Sequence, residues 1–167
     1  MGSQIISNTS PLIALSILGR LNLLWELFDV VYIPKAVYDE IVLPDHSKLF
    51  GKADVIQAVQ EKNIIVYQVQ DQRLVDQLFG KLHRGELETI VGARELNADF
   101  TLLDELSARN MAKTFFLTLI GTIGILSLAK REKKIQAIKP CLDILIAHDY
   151  RISKKLYEFV LKQEGKE

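Results

Sequence analysis

The chain has 167 residues, 49% of them hydrophobic and 25% charged, with 21 Lys and Arg against 21 Asp and Glu. That length and balance suit a single domain with a substantial core, and they exclude an intrinsically disordered chain. The formal charge of zero gives no global basic field, so any contact with nucleic acid has to come from a local groove.

The N-terminal segment has no basic stretch followed by a long apolar run, so no secretory signal is expected. Residues 4–7 form a short apolar strand. Ser10-Pro11 then supplies a hydroxyl cap and a proline at the first helical position. Two short helices, 11–18 and 21–28, are expected to break at Gly19. A β-branched and aromatic strand over 30–33 ends at Pro34, followed by a helix over 35–43 and a loop at Pro44-Asp45-His46-Ser47. Helical spacing returns over 52–61, a third strand covers 64–69, and a short helix covers 72–79. The helix over 85–96 is stronger, with Leu87, Ile90, Val91 and Leu96 at helical spacing.

Residues 100–103 read as a continuously apolar strand, as a parallel sheet covered on both faces requires. A helix over 105–112 and a strand over 115–120 follow, and the rest of the chain, from about 124, is helical. The run from Phe115 to Ala129 is the most membrane-like stretch. It is too short and too polar for a span, which needs about 20 apolar residues. Strands alternating with helices predict an α/β fold: a three-layer α/β/α sandwich around a parallel sheet, with right-handed crossovers. The whole of 1–167 is expected to be one domain carrying a helical C-terminal extension.

Four polar positions stand where strands end or helices open: Asn8, Glu40, Glu86 and Asp104. Three are carboxylates within apolar segments and the fourth is the amide isostere of one. In an open parallel sheet, ligands bind beyond the carboxyl ends of the strands. Carboxylates gathered there repel one another unless a cation holds them, so the set reads as a divalent-metal site. Each residue also has a plainer reading, as a helix cap or a helix surface; what sets the four apart is the one sheet edge they are expected to share. Lys81, His83 and Arg84 form a small basic patch beside this edge, suited to phosphate but equally to solvent. His46, His83 and His148 show no metal-ligand spacing. The one cysteine, Cys141, reads as a small core residue and suits a reducing cytoplasm.

The order of motifs resembles the PIN-domain superfamily of ribonucleases, which includes the VapC-type toxins of toxin–antitoxin pairs. It resembles most a prokaryotic branch of PIN-like, predicted nucleic-acid-binding proteins. The matching segments are Ser7–Ile13, Gly19–Leu24, Ile33–Glu40, Gly85–Ile90, Ala98–Glu105, Gly121–Leu126 and Arg151–Tyr157, which span nearly the whole chain. The resemblance implies a Mg²⁺- or Mn²⁺-dependent endoribonuclease with Glu40, Glu86 and Asp104 as catalytic acids and Asn8 completing the metal set. It also implies supporting roles near the metal for Thr9, Ser10, Glu88 and Glu105, RNA as substrate, a homodimer, and an antitoxin as a protein partner. Asn8 departs from the aspartate of active PIN nucleases and removes one charge from the cage. A catalytically impaired RNA- or protein-binding module is therefore the competing expectation.

Overall fold

The computed structural model describes residues 2–45 and 50–165, so part of the expected 44–47 loop, His46 included, lies outside the described residues. The elements run β1 (Gln4–Ser7), α1 (Thr9–Ile17), α2 (Leu23–Leu27), β2 (Val30–Pro34), α3 (Lys35–Val42), α4 (Lys52–Gln60), β3 (Ile65–Tyr67) and α5 (Gln72–Leu78). They continue with α6 (Arg84–Leu96), β4 (Phe100–Leu102), α7 (Leu106–Thr114), β5 (Leu119–Ile120), α8 (Thr122–Arg131), α9 (Lys139–Ala147) and α10 (Lys154–Glu164).

The five strands form one parallel sheet in the order β3-β2-β1-β4-β5. From β1 the chain steps outward to β2 and β3, then returns past β1 to β4 and β5. Right-handed crossovers then require α1–α4 on one face and α5–α7 on the other. The two hydrophobic cores follow that division. One collects Leu12, Leu24, Val37, Val55, Ile125 and Leu142 from the first helices and from α8 and α9. The other collects Val75, Leu87, Ile90, Ala108 and Ala112 from α5, α6 and α7. Ile5 belongs to the first core, whereas the Ile6 side chain abuts Gly92 of α6, the alternation a doubly covered strand needs. The fold is therefore the expected three-layer α/β/α arrangement.

The run read as a strand over 115–120 is the main correction. Only Leu119–Ile120 is strand. Phe115 ends α7, and Phe116 takes a left-handed conformation at φ +59°. The N–H of Phe116 bonds the Lys113 carbonyl and the N–H of Leu117 bonds that of Ala112, the Schellman pattern that terminates a helix. A glycine or asparagine ordinarily marks that position, so the aromatic pair masked the cap and read as strand. Phe116 is left 92% exposed. Cys141 is half-buried on α9 rather than fully in the core, and burial pushes its thiol pKa up. Among the described residues no helix is long and apolar enough to cross a membrane.

Candidate functional site

The strand order reverses between β1 and β4, and Asn8 and Asp104 lie just beyond the carboxyl ends of these two strands. Ser7 is paired with Leu102, and the N–H of Asn8 donates to the Leu102 carbonyl at 3.2 Å. Asn8 is the N-cap residue of α1 and 4% exposed. An asparagine in this position ordinarily accepts a hydrogen bond from the helix it caps. Its side chain makes no such bond here and instead lines a cavity of about 310 Å³ with Thr9, Ser10, Glu40, His83, Glu86 and Glu105.

Glu40 projects from the third helix. One of its carboxylate oxygens accepts the Thr9 hydroxyl at 2.5 Å. The other lies over Gly85, where a Cβ atom would come within 2.5 Å of it. Glu86 follows on the first turn of α6 and is buried between the sheet and its neighbouring helices. Its Oε1 accepts the His83 N–H at 3.1 Å, tying off the helix start, whereas its Oε2 is buried with no hydrogen-bond partner. Burial raises the Glu86 pKa, the charges of Glu105 and Glu40 add to the rise, and the bond from His83 opposes it.

Asp104 is placed differently from the other three. Its two oxygens accept the backbone N–H of Thr122 at 2.7 Å and the Thr122 hydroxyl at 2.6 Å, at the N-terminus of α8. It lines a neighbouring cavity, and Glu105 takes a place on the wall shared by Asn8, Glu40 and Glu86. Of the four expected residues, Asn8, Glu40 and Glu86 line one cavity together with Glu105, and Asp104, the residue before Glu105, lines the adjoining one. The helix-opening donors of Thr122 compete for the Asp104 carboxylate, a pull that an apolar strand reading does not reveal.

Glu88 is 4% exposed and stands off the cavity. Its carboxylate accepts the Ala36 N–H at 3.2 Å, at the start of α3, and the Arg84 Nε at 3.3 Å. It fixes the helix that carries Glu40. Arg84, expected as an RNA contact, is exposed, but its guanidinium is taken up by protein partners: it also donates to Asp76 at 3.0 Å and to Gln72. Lys81 and His83 remain exposed, and only His83 borders the cavity. Gly85 is the residue whose site role the acid pattern did not single out, although its place immediately before Glu86 was visible.

Among the described residues no group of three or more His, Cys, Asp or Glu side chains stands close enough together to hold a metal ion. The donor chemistry nonetheless fits a hard divalent cation: three carboxylates and an amide, all oxygen donors, with one buried oxygen left unpaired.

A family model described as a PIN domain matches residues 4–166. The chain belongs to the PIN-domain family, and its five-stranded parallel sheet flanked by helices is the nuclease-type fold of that family. No curated protein and no solved structure matches the chain.

Proposed function

We propose that this protein is a metal-dependent endoribonuclease of PIN type, using Mg²⁺ or Mn²⁺ held by Asn8, Glu40 and Glu86, with Glu105 beside them. The observation that carries the reading is the buried, unpaired Oε2 of Glu86 on the wall of a cavity lined by two further carboxylates. An unsatisfied buried carboxylate oxygen is costly, and natural folds keep one where a ligand completes it. When bound, a divalent cation in such a site lowers the pKa of water and offsets charge on a phosphodiester. The protein's own part is positional. Thr9 orients Glu40, Gly85 lets its carboxylate approach the α6 backbone, and Glu88 anchors α3 beneath it. Asp104, held by Thr122, extends the negative edge toward β5.

The family includes toxins of toxin–antitoxin pairs, and we extend the proposal to a toxin-like cytoplasmic homodimer restrained by a protein antitoxin. A second reading, an impaired module that binds RNA or protein without cutting, is favoured by Asn8, which supplies an amide where a carboxylate would add charge. Cleavage of a fluorogenic single-stranded RNA with Mn²⁺ separates the two. The nuclease reading expects activity that rises in Asn8→Asp and disappears in Glu40→Gln. If neither the native protein nor Asn8→Asp cuts, while both bind RNA, the impaired module is correct.

A further inference from the structure

Two segments that the acid edge leaves unused, Gly121–Gly124 and Tyr150–Leu156, meet at one cavity of about 490 Å³. It adjoins the acid cavity across the Asp104–Glu105 peptide, because Asp104 lines the one and Glu105 the other. Its walls combine apolar Leu119, Ile120, Ile123 and Leu156 with two cations, Arg109 and Arg151. A pocket holding one ordered small group occupies about 300–1,000 Å³, apolar with a few charged anchors.

The charges are arranged for an anion. Among the described residues neither arginine is in an ion pair. Arg109 spends one donor on the Leu103 carbonyl at 2.7 Å, which fixes the side chain and leaves its other guanidinium N–H groups open. Arg151 is exposed at the mouth. The one acid on the wall, Asp104, is bonded twice by Thr122 at the N-terminus of α8. Its Oδ1 and an Arg109 guanidinium nitrogen both lie within 3.4 Å of where a Cβ on Gly121 would stand, so it offsets part of the Arg109 charge and leaves Arg151 the freer cation. Half-buried Tyr150 also reaches this edge, where burial and the Asp104 carboxylate raise its pKa.

We propose that this cavity is a subsite for one nucleotide of a single RNA strand next to the acid edge, its phosphate on Arg109 and Arg151 and its base against Ile123 and Leu156. The inference rests on the nuclease reading for the direction of the strand, but the cavity's binding is independent of cleavage. It also moves the main RNA contact away from Lys81 and Arg84 to the opposite side of the acid edge.

The test is fluorescence anisotropy with a labelled eight-nucleotide single-stranded RNA in EDTA, where nothing is cut, at several salt concentrations. Arg151→Glu is expected to raise Kd at least tenfold. Arg151→Ala should raise it severalfold and flatten the slope of log K against log salt by about 0.7, the share of one phosphate contact on a single strand. Arg151→Lys should restore the slope. Arg151 is exposed, so these variants fold, and circular dichroism verifies it. An unchanged Kd and slope in Arg151→Glu, or no binding of the RNA by the native protein, overturns the subsite. Arginine-dependent binding in a protein that cuts no RNA with Mn²⁺ would leave the subsite standing and defeat only the nuclease reading. Cleavage with no dependence on Arg151 would do the reverse.

Discussion

The carboxylate of Glu40 occupies the space in which a side chain on Gly85 would begin: a Cβ there would lie 2.5 Å from Oε1 and 2.9 Å from Oε2. No φ constraint demands a glycine at this position; close approach does. Gly85→Ala should therefore push Glu40 off Thr9 and away from the cavity while leaving α6 intact. Displacing a positioned group by about 1 Å can cost on the order of 100-fold in rate. The expected outcome is a large loss of RNA cleavage with a melting temperature within a few degrees of the native protein. Full activity in this variant would show that Glu40 need not lie where it does.

Glu86 gives a pH signature. Its pKa is higher in the folded protein than in the unfolded chain, chiefly through burial. Below the unfolded value, about 4.3, the group is protonated in both states and costs nothing. As the pH rises from there through the folded pKa, the unfolded state loses its proton first and stability falls, then levels off above the folded pKa. Glu86→Gln should remove this decline. In EDTA the variant is expected to be more stable than the native protein at neutral pH, by on the order of 1 kcal/mol, with the difference vanishing near pH 4. Urea unfolding across that range measures it.

Arg84 should reveal itself in stability rather than in RNA affinity. Its guanidinium answers the buried carboxylate of Glu88 and is itself held by Asp76 and Gln72. Arg84→Ala leaves Glu88 with only the Ala36 N–H, and a buried charge stripped of a partner costs about 1–3 kcal/mol. Denaturant unfolding should show that loss, and the RNA dissociation constant should change less than twofold. The opposite pattern would return Arg84 to the RNA surface.

The fold was legible because its signals are local and repeated. Strand runs such as residues 30–33 and the stripe of Leu87, Ile90 and Val91 each state their element without help from distant residues, whereas the hydroxyl cap expected at Ser10 falls inside α1, which opens at Thr9 with Asn8 as its N-cap. The failure at Phe115–Phe116 has the same origin: apolar residues in a helix-ending conformation carry no glycine to announce it. The acid positions were legible as residue types at strand ends, but not their partners. Whether Asp104 meets Thr122 depends on where α8 starts in space, and which acids Arg84 meets depends on Asp76 of another helix. Sequence spacing fixes neither.

The hold of Thr122 on Asp104 also alters how Asp104→Asn should behave. An amide can still accept the Thr122 N–H and donate to the Thr122 hydroxyl, so what the variant loses is the negative charge at the N-terminus of α8, and it should lose stability with or without metal. Thermal unfolding in EDTA should show a drop of several degrees. A melting temperature equal to that of the native protein would indicate that the Asp104–Thr122 contact carries little energy.

Whether Asn8, Glu40 and Glu86 hold a divalent cation is tested, without requiring any activity, by Mn²⁺ binding followed through the electron paramagnetic resonance of the free ion. The native protein should take up Mn²⁺ saturably. Asn8→Asp should bind it about tenfold more tightly because a formal charge returns to the cage, and Glu86→Gln should bind far more weakly because the unpaired oxygen has lost its charge. Saturable uptake that is the same in the native protein and in Glu86→Gln, or no uptake by the native protein and Asn8→Asp alike, would contradict the account.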